Sequence, residues 1–501
     1  MPDLDRAFFV MRNGNAIADE DMAQKICRIK ELAPDERLTA TSSDSGFEWN
    51  EIGMACLFGE VYQKEARFCV EHKSWYTYSG GAWRRDEGSI LVSEKLKDFV
   101  RLMTIYCGEI IDDDQRKAYS TFIAKMGDRR MRDRILKDAT GELAISAVEF
   151  DKNPYLINCQ NGTFDLSRMI FREHRWDDFI TMQTDFKYTP IKVRGCSRWV
   201  QFIDEVTQGD KDKADYLQRA LGYSLLGRSN EACMFILHGK TTRNGKSTLL
   251  GAIERMLGDY SRVSPVGMIC KASYNKDPEA ATPELVMLKG KRFVTMSESK
   301  EYGKLDEEKI KQYTGGEAVT GRALREAPIS FIPQFTLWLS CNDLPTVTDK
   351  SLFASERVRI IEFNRHFSQE EQDKSLDDLF NLQESRSGIF TWLLEGYSNY
   401  CKRGLSMVEN MKRVIRKYET DQDIVLQFLE ANCERDEESK IKSKNLYSRF
   451  RTWAKVEYGW TLSAQKFNNE MERHDDWYHR AAVSMGYLTY YGLKLKEVLE
   501  D

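Results

Sequence analysis

Phe235-Ile236-Leu237-His238-Gly239 is a short apolar run closed by a glycine, and Lys240-Thr241-Thr242-Arg243-Asn244-Gly245-Lys246-Ser247-Thr248 follows it directly. Such a run is typical of a strand buried in a parallel sheet. Residues 249–257 then have the apolar spacing of a helix. A glycine-rich turn between a strand and a helix lets backbone N–H groups and the helix N-terminus face an anion. The stretch therefore predicts a phosphate loop.

The polar residues of this loop have expected roles. We expect Lys246 to reach the β and γ phosphates of ATP, and the Ser247 hydroxyl to ligate Mg2+. Five residues separate Gly239 from Gly245, one more than in the common pattern, which leaves open which residue plays the usual first-glycine role. The residues expected to contact the nucleotide are Gly239, Asn244, Gly245, Lys246, Ser247 and Thr248.

Two more apolar runs, at residues 292–296 and 335–340, alternate with helical stretches. Strands that alternate with helices predict an α/β domain with a central sheet, here at residues 199–366. The first run leads to Glu298, which we expect to hold Mg2+ or polarise the attacking water. A solvated glutamate at a strand end is an equally good interpretation of that residue alone. The second run leads to Asn342, whose amide we expect to sense the γ-phosphate.

Two arginines follow this last run. Arg357 lies fifteen residues past Asn342, and Arg359 lies two further along. Either is a candidate to stabilise the charge of the transition state as an arginine finger. The alternative for each is a surface ion pair with Glu356 or Glu362.

A basic segment lies between the second and third strands. Lys309 and Lys311 precede Thr314-Gly315-Gly316, and Arg322 and Arg325 follow on a predicted hairpin. Lysines before a glycine turn and arginines on a hairpin suit a loop that grips backbone phosphates in a channel. A solvated basic face is the alternative.

The C-terminal residues 421–501 predict a winged helix. Helical patterns at residues 424–433, 445–457 and 463–473 precede a predicted hairpin at residues 487–495. Residues 441–455 contain five basic side chains and no acidic one, and we expect phosphate contacts from Lys442, Lys444 and Arg449. The interleaved aromatics Tyr447, Phe450 and Trp453 are predicted to form the buried stripe of the helix. Binding of duplex or origin DNA and binding of another protein remain open alternatives.

The rest of the chain supplies the other predicted domains. Residues 68–83 alternate around Gly80-Gly81 and predict a β-hairpin, residues 90–111 predict a helix, and residues 153–171 predict a second β element. These form a predicted α+β domain at residues 61–198. Residues 1–60 stay unassigned, and residues 367–420 are predicted to be a helical connector.

Composition limits the partners. The net charge is -5 and the pI about 5.9, so DNA contact must be local to a basic channel or one small domain. Eleven cysteines without a CxxC pair favour free thiols in a reducing compartment and argue against a zinc site. With no basic leader and no apolar run of membrane-spanning length, we expect a soluble cytoplasmic protein without a membrane partner.

The order of the motifs in this chain resembles that of superfamily 3 helicases. The motifs are the phosphate loop, the strand before Glu298, Thr314-Gly315-Gly316, Asn342-Asp343-Leu344-Pro345 and Ser355-Glu356-Arg357-Val358-Arg359. The resemblance is to the phage and plasmid primase–helicase group, which is related to the poxvirus replication helicase. It extends upstream to residues 75–83 and 156–166 and downstream to residues 445–467. It covers about 430 residues, from about Cys69 to the end.

The resemblance implies an α/β multidomain protein with an AAA+-like P-loop ATPase core, an N-terminal α+β domain and a C-terminal winged helix. It implies a hexameric ring that binds ATP between subunits and translocates on single-stranded DNA, usually 3′ to 5′. It assigns the phosphate contact to Lys246, the catalytic acid to Glu298, the sensor to Asn342 and the finger to Arg357. Lys311 and Arg322 fall near its DNA-gripping hairpin. One departure is Ser297, where many relatives have a second carboxylate.

The sequence thus predicts an ATP-dependent replicative helicase of a phage, plasmid or integrated element. We expect it to act on single-stranded and forked DNA in the cytoplasm of the host. For a phage or plasmid protein, this host is a bacterium. Only about 60 unassigned N-terminal residues remain, so we expect no primase activity, and a separate primase or other replication proteins are candidate partners. The alternative is a nucleotide-switched initiator or loader that does not unwind processively. The residues at positions 298 and 357 favour the motor, because a switch could dispense with both.

Overall fold

The computed structural model describes residues 9–12, 15–18, 20–33, 47–190, 196–271, 281–297, 304–325, 328–347, 351–421, 423–459, 461–484 and 487–496. Within these ranges the chain is a mixed α/β protein with several separate sheets. No helix in the described ranges is both long enough and apolar enough to cross a membrane.

The N-terminal unit is mainly helical and has its own apolar core. Its elements are β1 (Phe9–Arg12), β2 (Asn15–Ala18), α1 (Glu20–Leu32), α2 (Glu51–Tyr62), β3 (Ala66–Cys69), β4 (Ser74–Ser79), β5 (Ala82–Arg85), α3 (Ile90–Cys107), α4 (Asp113–Met126), α5 (Arg129–Glu142) and β6 (Ala144–Ile145). Helix α1 belongs to this core, because Ile26 and Ile29 are fully buried in the cluster that α2 to α5 also fill. Part of the segment left unassigned from the sequence is therefore packed structure.

The predicted β-hairpin at residues 68–83 is confirmed. Strands β4 and β5 pair antiparallel around Gly80 and Gly81, which both have positive φ, and β3 and β6 extend the sheet. A second sheet, in the order β7-β8-β9, consists of β7 (Leu156–Cys159), β8 (Gly162–Asp165) and β9 (Ile170–Arg172). This is the second β element expected at residues 153–171.

The central sheet has five parallel strands in the order β11-β12-β15-β10-β16. The elements of this region are α6 (Ser197–Thr207), α7 (Lys211–Tyr223), β10 (Met234–His238), α8 (Lys246–Leu257), β11 (Ser261–Val263), α9 (Pro283–Val286), β12 (Phe293–Ser297), α10 (Glu307–Thr314), β13 (Val319–Gly321), β14 (Ile329–Phe331), β15 (Thr336–Cys341), α11 (Ser351–Ala354) and β16 (Val358–Glu362). The three strands predicted from apolar runs are β10, β12 and β15, each within one residue of its predicted position.

Strand β10 lies where the order of the strands reverses. The chain leaves β10 for the far edge of the sheet, returns through β12 and β15, and then crosses β10 to form β16. In open parallel sheets, ligands bind beyond the carboxyl ends of the strands at such a switch point. We call that end of the sheet the carboxyl edge and the opposite end the amino edge.

Three helices follow the sheet: α12 (Leu376–Asn381), α13 (Gln383–Arg403) and α14 (Glu409–Asp421). Helices α7 and α13 pack closely, because a Cβ on Gly222 would lie 2.2 Å from the backbone nitrogen of Tyr397. Ile389, Phe390 and Leu393 are fully buried in the core that the central sheet also fills. The predicted connector is thus helical, and it is part of the main core.

The sheet β7-β8-β9 also shares this main core, since Ile157, Phe164 and Phe186 belong to the same buried cluster. Arg292, 1% exposed, joins the two parts by polar contacts. Its guanidinium donates to Gln334 Oε1 at 3.1 Å and to the carbonyl of Asn153 at 3.4 Å.

The C-terminal unit contains the three predicted helices and a three-stranded sheet. The hairpin predicted within residues 487–495 is wrong, because these residues form one strand, which pairs antiparallel with Arg480–Ser484. The elements of this unit are α15 (Ile424–Asn432), β17 (Cys433–Lys442), α16 (Ser443–Tyr458), α17 (Ala464–Met471), β18 (Arg480–Ser484) and β19 (Tyr487–Leu495), with the sheet order β17-β19-β18. Strand β17 is an addition to the prediction. The sequence hides it because Cys433–Lys442 is mostly charged and lacks alternating apolar residues.

Candidate functional site

The predicted phosphate loop connects β10 to α8 at the carboxyl edge. A Cβ on Gly239 would lie 2.4 Å from the carbonyl oxygen of Phe363, and one on Gly245 would lie 2.5 Å from Cγ1 of Val206. Gly245 also has a φ of +86°, which favours glycine. Both positions therefore exclude a side chain, and Gly239 is the glycine at which the strand turns into the loop.

The N-terminus of α8 faces out of this loop. Gly245 is the N-cap and provides no side-chain cap, and the first helical bond runs from the Leu249 N–H to the Gly245 carbonyl at 2.9 Å. The first N–H groups of a helix have no partner within the helix, and the helix dipole makes this end partly positive. The end is therefore suited to an anion. Ser247 is exposed here and Thr248 is half-buried.

Lys246 and Asn342 are brought together from distant parts of the sequence. The Lys246 side chain is only 4% exposed, and its Nζ donates to the Gly239 carbonyl and to Asn342 Oδ1, both at 3.0 Å. Asn342 directly follows β15, the strand next to β10. The predicted phosphate lysine and the predicted sensor amide thus share one location.

Asn244, predicted to contact the nucleotide, also bonds within the loop. Its side chain is 4% exposed, and Nδ2 donates to the carbonyls of Thr241 at 2.6 Å and Gly239 at 3.5 Å. These bonds close the loop on itself. Asn244 therefore stabilises the shape of the phosphate loop by bonding to the backbone carbonyls of other loop residues.

His238, which sequence reasoning missed, is a further polar group at this edge. The residue is 7% exposed, and its Nδ1 has no hydrogen-bond partner among the described residues. Burial lowers the pKa of His238, and the nearby charges of Lys246 and Lys240 lower it further, against the opposing effects of Glu362 and the Asn342 backbone. The imidazole is therefore held neutral beside Lys246. Its place at the end of a buried strand was the available sequence signal.

The predicted catalytic acid, Glu298, lies outside the described residues. Strand β12 ends one residue earlier, at Ser297, which pairs in register with Ser340 of β15.

Arg357 lies at the amino edge, away from the phosphate loop. Its carbonyl accepts from the Met234 N–H at 2.8 Å, so it stands beside the first residue of β10, whereas the loop follows the last. Five residues of strand separate these ends by about 13 Å. The half-buried guanidinium donates from Nη1 to Thr314 Oγ1 at 2.9 Å.

Arg359, the other finger candidate, is a core residue of β16. It is 4% exposed and donates to the Leu405 carbonyl at 2.6 Å, and it pairs with Glu231 at 3.1 Å. The predicted alternative of a surface ion pair with Glu356 or Glu362 is wrong for Arg359, because the arginine is buried and its ionic partner is the half-buried Glu231. Of the two arginines, only Arg357 remains a finger candidate.

The hairpin predicted around the arginines is confirmed as β13 and β14, which pair antiparallel. Arg322 and Arg325 are exposed in its turn, where Leu324 is 74% exposed. Lys309 instead lies in the first turn of α10, where it pairs with Asp306 at 3.3 Å. Lys311 lies further along the same helix. The basic turn, residues 322–325, is therefore the part of this segment best placed to meet a polyanion.

On the C-terminal unit, Lys442 and Lys444 are exposed at the start of α16 and Arg449 is half-buried. The interpretation of the interleaved aromatics is confirmed. Phe450 is fully buried, and Tyr447 and Trp453 pack against the core of the unit.

A cavity of about 590 Å³ lies at the amino edge, not at the phosphate loop. Its lining includes Tyr76 and Phe150 from the N-terminal region, Lys289 before β12, and Phe331 and Ile332 at the base of the hairpin.

The chain is similar to several known proteins. Residues 55–208, from within α2 to the end of α6, match the family described as "D5 N terminal like". Over 98% of its length the chain is 26% identical to a protein named "Putative helicase" from Acanthamoeba polyphaga mimivirus, and covers 54% of that protein. A protein of the same name from Sputnik virophage is 27% identical over 38% of this chain and 26% of its own length.

A third protein of that name, from Invertebrate iridescent virus 3, is 22% identical over 60% of this chain and 35% of its own length. The chain thus spans about half or less of the length of these relatives. The apo structure of the NrS-1 C terminal region superposes with a TM-score of 0.45 at 9% identity, covering 85% of this chain and 96% of that one. The chain is thus similar to the D5 N terminal like family over residues 55–208, and to proteins named putative helicases from mimivirus, an iridescent virus and a virophage.

Proposed function

We propose that this protein is an ATP-dependent DNA helicase of viral or mobile-element replication. The observation that supports this most is the meeting of Lys246 Nζ and Asn342 Oδ1 at 3.0 Å at the carboxyl ends of adjacent parallel strands. A lysine and an amide converging beside an uncapped helix N-terminus suit the β and γ phosphates of a nucleotide. We propose an AAA+-like P-loop core on this basis.

The residues present fit ATP and Mg2+. Glycines at 239 and 245 allow the tight turn of the loop, since a Cβ at either would clash with the protein itself. Lys246 would contact the phosphates, and the exposed Ser247 hydroxyl, with Glu298, would hold the metal. Bound Mg2+ would supply positive charge against the phosphates. Glu298 would orient and polarise the attacking water.

Arg357 supports an oligomeric motor. The length of β10, about 13 Å, separates Arg357 from the phosphate loop of its own chain. Arg357 is therefore better placed to act on a nucleotide bound by a neighbouring copy. A ring in which each copy offers its amino edge to the carboxyl edge of the next would place every arginine near a nucleotide. The hexamer is proposed from the resemblance to superfamily 3 helicases.

DNA contact is proposed at two local surfaces. The exposed turn of the β13–β14 hairpin would grip single-stranded DNA, and the start of α16 would contact phosphates near the fork. The order of helices and strands in the C-terminal unit supports a winged helix there. We propose that a separate primase or other replication proteins act with this protein, and that it works in the host cytoplasm.

The test is ATP hydrolysis by the purified protein with and without single-stranded DNA, followed by strand displacement on a forked duplex. Lys246→Ala and Glu298→Gln are measured in parallel, with Lys211→Ala, an exposed lysine of α7, as a control. We expect hydrolysis stimulated by DNA, and unwinding, with both lost in the first two variants and kept in the control. DNA binding with hydrolysis indifferent to DNA and no unwinding would leave the nucleotide-switched initiator or loader.

A further inference from the structure

Helix α10 connects the two edges of the central sheet. At its start, the Leu305 N–H donates to the carbonyl of Thr346 at 3.0 Å, in the segment that follows Asn342 at the carboxyl edge. At its end, Thr314 meets Arg357 at the amino edge. Eight helical residues span about 12 Å, which is close to the length of the strands beside them.

Thr314 holds Arg357 with one well-oriented hydroxyl. The side chain is 3% exposed, and its Oγ1 donates to the Ile310 carbonyl at 2.7 Å. With its proton used in that bond, the oxygen accepts a hydrogen bond from Arg357 Nη1, at 2.9 Å between the nitrogen and the oxygen. The guanidinium is only half-buried, so without this bond its long side chain would sample several rotamers.

We propose that Thr314 is a positioning residue for the trans-acting arginine. The inference rests on the proposed function, since it needs Arg357 to act on a nucleotide of the neighbouring copy. Thr314 would keep the guanidinium in the one orientation in which it meets the developing charge. The bond also connects the arginine to the β13–β14 hairpin that is proposed to bind DNA, because Gly315 and Gly316 lead from Thr314 into β13.

The experiment compares Thr314→Val with Thr314→Ser. Valine keeps the branched shape and removes the hydroxyl, whereas serine keeps the hydroxyl. We expect Thr314→Val to lower the DNA-saturated kcat for ATP by about tenfold, the loss of one hydrogen bond to a charged group in the transition state. The KM for ATP and the oligomeric state should stay unchanged, and Thr314→Ser should keep most of the activity.

Thr391→Val controls for loss of a helix-internal hydroxyl bond. Thr391 Oγ1 bonds to the Ser387 carbonyl at 3.0 Å on α13, in the same way that Thr314 bonds within α10. We expect wild-type kcat from it. Arg357→Ala provides the second control, because Thr314→Val should cause no further loss in that background under single-turnover conditions with excess protein.

Two results would overturn the role of Thr314 while leaving the proposed function intact. One is a wild-type kcat for Thr314→Val, and the other is an equal loss in the Arg357→Ala background. Wild-type protein without ATP hydrolysis would instead contradict the proposed function, and the role of Thr314 with it.

Discussion

The two edges of the central sheet differ in what they lack. At the carboxyl edge, Lys246 and Asn342 are already bonded to each other beside an uncapped helix, but the finger candidate Arg357 does not lie there. At the amino edge, Arg357 is oriented by Thr314 near a hairpin with an exposed basic turn, but the phosphate loop is a strand length away. Under the proposed function, each copy would carry two halves of one nucleotide site, at opposite edges of its sheet.

Arg357→Ala should have the largest effect on activity and little effect on folding. Removing an arginine that stabilises transition-state charge costs about a thousandfold in kcat. Arg359→Ala should do the reverse, lowering the free energy of unfolding by about 3 kcal/mol, because it leaves Glu231 without its buried partner. ATP hydrolysis and denaturant unfolding of both variants check this. A stable Arg359→Ala protein with lost hydrolysis would contradict our distinction between the two arginines.

Mixing two inactive variants tests whether Lys246 of one copy and Arg357 of a neighbouring copy act at the same site. Lys246→Ala should reduce hydrolysis by two to three orders of magnitude, about the cost of one lost charge-stabilising donor. In a 1:1 mixture with Arg357→Ala, about a quarter of the sites join an intact Lys246 to a neighbour's intact Arg357. We therefore expect activity to return to about a quarter of the wild-type level. If the mixture stays as inactive as its parts, the arginine acts within its own chain or not at all.

His238, at the carboxyl edge, should make the free energy of unfolding depend on pH. Its pKa is lowered in the folded protein, so the unfolded chain takes up the proton first as the pH falls. The stability it contributes is present above its ordinary pKa of about 6.5 and is lost below it, at no more than about 1.4 kcal/mol per pH unit. His238→Gln should flatten the dependence of unfolding free energy on pH between 7.5 and 5.5, measured in urea. An identical slope in the variant would count against a neutral buried imidazole.

The smallest effect concerns which surface meets DNA. Arg325→Ala in the hairpin turn should lower the slope of log affinity against log salt for single-stranded DNA by about one. Lys444→Ala on α16 should lower the same slope for duplex DNA and leave that for single-stranded DNA unchanged. Fluorescence anisotropy over a salt series separates the two. If only the α16 variant weakens single-strand binding, the amino edge does not face the DNA.

The sequence was sufficient for the parts of the molecule that rest on continuous apolar runs. Strands β10, β12 and β15 were predictable because they are buried on both faces. Lys246 and Asn342 were predictable because each directly follows such a strand or its turn. Glu298 remains a prediction, and so do the domain boundaries.

Other features depend on contacts that no local pattern records. Arg357 and Arg359 have similar sequence surroundings, and only their burial separates a surface-facing arginine from a core one. Strand β17 is charged along its length, so its pairing with β19 is set by the tertiary structure. The bond from Arg357 to Thr314 joins residues 43 apart.

The core shared by the sheet β7-β8-β9 and the central sheet has a practical consequence for dividing the chain. A protein cut between residues 198 and 199, at the predicted boundary, would expose the apolar surface that Ile157, Phe164 and Phe186 cover. It would also strip Arg292 of its contact with Asn153. We expect such a fragment to aggregate, whereas a fragment ending near residue 421 removes a unit with a core of its own and should stay in solution.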